Sequence, residues 1–406
     1  MIPLEEAQER VLAGLEAAKP VQVDIDEALG LVLAETLTAR EDIPPFANTS
    51  MDGYAVHAAD LAGASAEHPV RLRVVGTLAA GAAFEGAVGE GEALRIMTGA
   101  PFPGGADAVA IVETTTTEGD TVLIDTAVEH GAQIRAAGGD VVAGQEVFPA
   151  GTVLRPGHLG VLASVGRLEA SVVPAPVVGV LSTGDELVEG DVPLRPGQIR
   201  ESNRHALLGL LRRDGYVGVD LGIAPDDAEV IRARILDGAG RCDALLTSGG
   251  VSMGDFDLVK KVLDELGEME WMQVAIRPAR PFAFGNVGGT PIFGLPGNPV
   301  SSMVSYELMA RPGLRRMAGH GDEALFRPSV PAIVDDNSCD PRPDGRTAYL
   351  RMKAAFGADG RWHVRSAGAQ GSHQLLAMAH ADALAIVPDR AGVPAGGTVQ
   401  ILVLEP

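Results

Sequence analysis

Three loops in the middle of the chain collect residue types suited to holding an anion: Leu181-Ser-Thr-Gly-Asp-Glu-Leu187, Thr247-Ser-Gly-Gly-Val-Ser-Met-Gly254 and Gly294-Leu-Pro-Gly-Asn-Pro-Val-Ser-Ser302. Each follows an apolar, β-branched run (177–181, 243–247 and 290–293) and precedes a segment able to start a helix. In an open α/β sheet, ligands sit beyond the carboxyl ends of the strands. Three such loops converging there make one pocket of backbone N–H groups and small hydroxyls, with carboxylates inside it. In the first loop, Ser182, Thr183 and Gly184 form the turn and the carboxylates of Asp185 and Glu186 follow. Carboxylates so placed suit Mg2+, which takes one or two of them and completes its shell with water. An ordinary turn followed by a capping Asp is the simpler alternative.

The second loop is more specific. Gly249 and Gly250, between Ser248 and Ser252, let the backbone approach a ligand closely, and the helix start that follows favours an anion. Asp255 and Asp257 lie there too and repel a bare phosphate, which points to an anion bridged by a cation. N-capping by one of them is the competing reading. In the third loop Pro296, Gly297, Asn298 and Pro299 are stiff, and Asn298 is placed to cap a helix beginning at Pro299 or Val300. The same dipeptides are also generic turn signals. Arg277 and Arg280 stand in an Arg-Pro-Ala-Arg-Pro stretch, where guanidinium groups suit oxyanions and a solvated surface pair is the alternative. No phosphate-binding GxxxxGK[ST] loop and no GxGxxG dinucleotide fingerprint is present. The nine histidines show no metal-ligand spacing, and no Ser-His-Asp or Cys-His arrangement can be argued.

The elements that position these groups fall into several blocks. The chain has 406 residues, which as a soft prior is two to four domains. Residues 3–18 carry Leu4, Ala7, Val11, Leu12 and Leu15 at helical spacing, and 29–37 continues in a helical or mixed pattern. From about 54 to 136 short β runs (70–75, 92–96, 108–112, 121–124) with Gly-rich turns suggest a small barrel or sandwich. Helix-compatible sequence returns at 158–165. The expected organisation is a discontinuous first domain (1–45 with 138–175), an inserted β domain (46–137), an α/β domain (176–318) and a C-terminal β domain (326–406). Helices are expected at 203–214, 226–236, 256–266 and 300–309. Strands are expected at 329–334, 346–352, 362–364, 383–387 and 398–403.

The formal charge is −22. No basic patch or stripe is visible, so nucleic acid is not an expected partner, and an anionic ligand needs a local cation. Cys242 and Cys339 lie far apart without a CxxC spacing, a reduced usage. No run approaches 18 uncharged apolar residues, and the first residues resemble no signal peptide. The expectation is a soluble cytoplasmic protein without a membrane partner.

The three loops in this order, preceded by Asn48-Thr-Ser-Met-Asp-Gly-Tyr-Ala55 and Arg95-Ile-Met-Thr-Gly-Ala-Pro101, resemble the MoeA-type molybdopterin molybdenumtransferases, which are similar to the gephyrin E domain. The resemblance runs essentially end to end. It implies an α/β plus β multidomain fold, with a central molybdopterin-binding (MoaB/MogA-like) domain, an inserted small β domain and a C-terminal β-barrel-like domain. It also implies an elongated homodimer. The implied reaction is the Mg2+-dependent insertion of molybdate into adenylylated molybdopterin with release of AMP. Carried over motif by motif, the implied active-site residues are Asp52, Thr98, Glu186, Asp226 and Asp257, with Arg135, Asp140, Pro296 and Pro299. Asp226 and Asp257 are the choice for Mg2+. Arg277 and Arg280 depart from the family's lysine-containing stretch, and both remain cationic. Arg351 and Ser372 are the fallback for oxyanion capture. The upstream adenylyltransferase and apo-molybdoenzymes or their chaperones are implied partners. Competing functions are the adenylyltransferase itself, against which the long flanks argue, a tungstate-handling paralogue, and a non-catalytic scaffold.

Overall fold

The structure, a computed structural model, describes residues 1–251, 258–340 and 343–404. At its centre lies a six-stranded sheet in the order Val217–Ala224, Val177–Thr183, Ala244–Ser248, Thr290–Leu295, Pro281–Val287, Gly267–Gln273. The first four strands run parallel, and the last two form an antiparallel hairpin added to their edge. That hairpin departs from a simple alternation of strand and helix. Successive side chains of a strand point to opposite faces. Ala244 and Leu246 therefore enter one core with the helices Asn203–Arg213 and Pro299–Ser305, and Leu245 enters the other with Ala228–Ala239 and Leu258–Leu266.

The strands outlast the apolar runs that announce them. Ser182 and Thr183 still pair with Ile223 and Ala224, and Ser248 pairs with Leu295. These hydroxyls thus sit on the last rungs of a parallel ladder rather than in free loops. That is a stiffer support than a turn provides.

The helix Leu4–Ala13 departs from the expected partition. Its buried Leu4, Ala7 and Val11 share the core of Val178, Phe293 and Leu314, so it packs with the α/β unit and not with 138–175. It also satisfies a defect there. The helical run expected at 300–309 continues to Met317 through a wide π turn at Tyr306–Ala310. Pro312 has no N–H to give the carbonyl of Leu308, the usual cost of proline inside a helix. Gln8 Nε2 donates to that carbonyl instead, at 2.7 Å.

Residues 29–37 are not helical. Val32–Leu33 and Leu37–Thr38 are short strands captured by Val172–Val173 and by Glu146–Phe148. With Val21–Asp24, Glu169–Val173 and the helix Pro156–Ser164 they enclose a small core of Leu33, Leu154, Leu162 and Val172. Between them the chain makes a six-stranded β unit, in which Gly53–Val56 lies between Ala108–Ile111 and Glu92–Ile96. At the other end, Thr347–Phe356, Trp362–Ser366, Ser329–Val334, Thr398–Val403 and Ala383–Val387 close into a five-stranded barrel. Closure leaves that barrel no open sheet edge.

A buried ionic cluster joins the far ends of the two pocket-side helices to the barrel linker. Glu307, in the wide turn, accepts from Arg213 and Arg327 at 2.6 Å each. Asp214 takes the Tyr306 hydroxyl at 2.8 Å and pairs with Arg311. Removing one partner of a buried ion pair strands the others. Glu307→Ala is expected to lower stability by about 3–5 kcal/mol, read as the shift of the urea unfolding midpoint. A shift under about 1 kcal/mol would show that the cluster is dispensable.

Candidate functional site

The carboxyl ends of the four parallel strands, together with the start of Pro281–Val287 and the end of Gly267–Gln273, surround one cavity of about 980 Å3. Ser182, Thr183, Gly184, Glu186, Asp226, Ser248, Gly249, Gly250, Arg280, Pro296, Gly297, Asn298 and Pro299 all line it. Ser252 and Asp257 lie outside the described residues. The second and third loops meet glycine to glycine: a side chain added at Gly297 would stand 3.7 Å from the Cα of Gly249. Gly250, at φ +72°, leaves no room for a side chain, since an added Cβ would lie 2.2 Å from Val259. Only glycine serves there.

The piece the sequence reading missed is the segment 200–204, which ties the loops together. Glu201 Oε1 accepts from the Ser182 hydroxyl at 2.9 Å and from the Arg204 N–H at 2.7 Å. Asn203 Nδ2 donates to Ser248 Oγ and to the Gly297 carbonyl, both at 2.7 Å. Glu201 thereby anchors the first strand end, and Asn203 joins the second loop to the third. Arg204 is buried and answered by Glu189, Asp220 and Glu201. The available signal was an acid–Ser–Asn run directly before an amphipathic helix, which reads first as a generic helix start.

Caps fall differently from expectation. Asp227, not Asp226, starts the next helix, accepting from the N–H groups of Glu229 and Val230 at 2.9 and 3.1 Å. Asp226 is thus left on the cavity rim, its backbone N–H on Asp185 Oδ1 at 3.0 Å. Asn298 occupies the N-cap position of Pro299–Ser305 but makes no capping bond through its side chain.

Charge is divided along the cavity. Asp226 and Glu186 follow neighbouring strands, and neither carboxylate has an ion-pair or hydrogen-bond partner on its side chain among the described residues. Arg280 stands four strands from Asp226, a span of roughly 19 Å at the usual strand spacing. It donates to Gln273 and meets no carboxylate among the described residues. His373, from the C-terminal domain, also reaches the cavity, and the neighbouring Ser372 carbonyl accepts from Val300 N at 3.1 Å. Arg351 lies nearby in the fold. Buried without a carboxylate among the described residues, it holds the Ala369 and Gly371 carbonyls at 3.1 and 3.2 Å. That burial lowers its pKa to about 10.

Arg277 is not brought to the cavity. Its short strand Ile276–Arg277 pairs with the start of the barrel strand at Thr347–Ala348, and its guanidinium meets Asp344 at 2.8 Å. Ala279, at φ +75°, turns the chain between the two arginines, so that they serve different surfaces. Asp52, Thr98, Arg135 and Asp140 also stand apart from this cavity, on and beside the inserted β unit. There Asp52 Oδ1 accepts from the backbone N–H and the hydroxyl of Thr98 at 2.7 Å each. These bonds, the backbone one foremost, hold its carboxyl below the ordinary aspartate range, with Arg95 adding to the effect. Arg135 lies opposite Asn48 in a two-rung ladder, and the Asp140 N–H donates to Ile43 O. Among the described residues no group of three His, Cys, Asp or Glu side chains could hold a metal ion.

Three family descriptions match consecutive parts of the chain: "MoeA N-terminal region (domain I and II)" at 2–166, "Probable molybdopterin binding domain" at 179–316 and "MoeA C-terminal region (domain IV)" at 341–404. The chain is 38% identical over 404 residues to molybdopterin molybdenumtransferase 2 of Mycobacterium tuberculosis, covering 98% of each. It is 34% identical over 404 residues to the molybdopterin molybdenumtransferase of Haemophilus influenzae, covering 99% of this chain and 98% of that one. A crystal structure of the molybdopterin biosynthesis MoeA protein from Pyrococcus horikoshii superposes with a TM-score of 0.81 at 31% identity, covering both chains fully.

The Asp52–Thr98 contact has a titration consequence. A carboxyl whose folded pKa is depressed adds stability above its unfolded pKa and loses it as pH falls through the folded value. In Thr98→Val the hydroxyl donor is gone and the backbone donor stays. The Asp52 pKa, followed by carboxyl 13C NMR, is expected to rise partway toward that of a free aspartate. An unmoved titration would mean that the hydroxyl does not face the carboxylate in solution.

Proposed function

We propose that this chain, which belongs to the MoeA family of molybdopterin molybdenumtransferases, inserts molybdate into adenylylated molybdopterin and releases AMP. The observation that carries the reading is the polarised cavity: among the described residues its carboxylates at one end and its guanidinium at the other have no ionic partner, and hydroxyls and glycine backbone lie between. Its length suits an extended pterin–nucleotide rather than a compact anion. In the insertion, an oxide of molybdate leaves as water with the two thiol protons while both sulfurs bond to the metal. Hydrolysis of the phosphoanhydride frees AMP.

In this reading Arg280 receives the oxyanion, and Ser248, Gly249 and Gly250 hold phosphate oxygens. Ser182, Thr183, Gly184, Pro296, Gly297, Asn298 and Pro299 shape the walls. Ser252 is assigned to the same loop. Mg2+ fits the acidic end, because it is usually bound by one or two carboxylates together with substrate phosphates and the side chains of Asp226 and Glu186 have no partner there among the described residues. Asp226 with Asp257 would hold it, Glu186 close by. Bound there, it would supply positive charge to offset that of the departing phosphate. Asp52, Thr98, Arg135 and Asp140 complete the site in a homodimer, each inserted β unit facing the cavity of the partner subunit. The domain partition follows the sequence reading with the first helix reassigned to the α/β unit. No described helix is long and apolar enough to cross a membrane. We place the enzyme in the cytoplasm, taking its substrate from an adenylyltransferase and passing product to apo-molybdoenzymes or their chaperones.

Three variants separate this from a surface role for the charges. Arg280→Ala removes a charge-assisted contact of about 1.5–3 kcal/mol. It should raise the molybdate concentration for half-maximal insertion roughly tenfold or more, while Arg277→Ala changes it little. Asp226→Asn should slow AMP release at least about tenfold with an unchanged circular dichroism spectrum. Turnover indifferent to exhaustive chelation would remove Mg2+ from the account, and equal effects of the two arginine variants would remove Arg280.

A further inference from the structure

Two serine hydroxyls line the cavity on neighbouring strands, Ser182 and Ser248, and their protons are committed in opposite senses. Ser182 donates to Glu201 Oε1 at 2.9 Å. A carboxylate accepts only, so the Ser182 hydrogen points at Glu201 and its lone pairs remain for a ligand. Ser248 is the reverse case. The carbonyl of Gly297 also accepts only, which fixes the orientation of the Asn203 amide: its nitrogen faces Gly297 and Ser248, and its oxygen faces away. Asn203 Oδ1 is in fact buried without a partner among the described residues. The reverse orientation would set that oxygen against the Gly297 carbonyl at 2.7 Å, acceptor to acceptor, so the donated bonds fix the amide. Ser248 Oγ therefore receives a hydrogen, and among the described residues nothing accepts its own.

We infer that Asn203 is a positioning residue that turns the Ser248 hydroxyl into a donor toward the cavity, where it takes a phosphate oxygen of an adenosine 5′-monophosphate group. Ser182, held by Glu201, presents an acceptor one strand away. The middle of the cavity thus distinguishes the two ends of a bound molecule by hydrogen-bond polarity as well as by charge. Gly249 and Gly250 follow Ser248 directly at φ +102° and +72°, leaving no side chain between the hydroxyl and a phosphate. The inference rests on the reading of this cavity as the site of an adenylylated pterin.

The test is a double-mutant cycle on the full chain, with AMP as the titrant in isothermal calorimetry at fixed Mg2+. Ser248→Ala and Asn203→Ala are each expected to weaken AMP binding by about tenfold. The double variant should be no weaker than the weaker single one, because both changes remove the same donor. Asn203→Leu, close to asparagine in shape, repeats the cycle if the alanine variant is not recovered folded. Additive losses in the double variant, or a single variant that binds AMP like the wild type, would overturn the assignment. If the wild type binds AMP and the cycle is additive, only the hydroxyl assignment falls. If the wild type does not bind AMP, the adenylylated substrate falls with it.

Discussion

One amide holds the second and third loops at a fixed separation, and the cavity depends on that separation. Asn203 reaches from the start of its helix to Ser248 on one strand end and Gly297 beyond the next, with 2.7 Å contacts on both sides. Two residues earlier Glu201 holds the strand end bearing Ser182. A single short segment thereby ties together strand ends and loops that the sheet ladder already holds side by side. Two of the glycines are required locally: a Cβ on Gly249 would press on Thr183 at 3.0 Å, and one on Gly250 would lie 2.2 Å from Val259.

The electrostatic design follows from the same anchoring. A chain of net charge −22 repels a dianion at long range, so attraction must be local and uncompensated. Arg204, at the centre of the anchoring segment, is matched by three carboxylates and adds little net attraction. Arg277 is matched by Asp344. Arg280 has no such match among the described residues. The sheet order then keeps it four strands from the carboxylate of Asp226, far enough to prevent internal pairing.

Much of this was legible in the sequence because hydrophobic pattern and turn chemistry agree at most positions. The strands Glu92–Ile96, Thr121–Ile124, Ser329–Val334, Ala383–Val387 and Thr398–Val403 coincide with their predicted spans. The failures have physical causes. Residues 29–37 carry an apolar pattern that suits helix, but each end is taken by a distant antiparallel partner. The helix Leu4–Ala13 reads correctly as a helix, yet no periodicity states which core its apolar face will join. Arg277 and Arg280 look equivalent along the chain, and a positive φ at Ala279 sends them apart. Glu201 and Asn203 went unseen because their partners lie 19, 45 and 94 residues away.

The most direct measurement is anomalous diffraction from crystals of the full chain soaked with AMP and molybdate, collected at the molybdenum edge. The expected result is a molybdenum peak in contact with Arg280 and the AMP phosphate against Ser248 and Gly249, both in the same cavity. A molybdenum peak beside Arg277, or the nucleotide and oxyanion in separate cavities, would contradict the account.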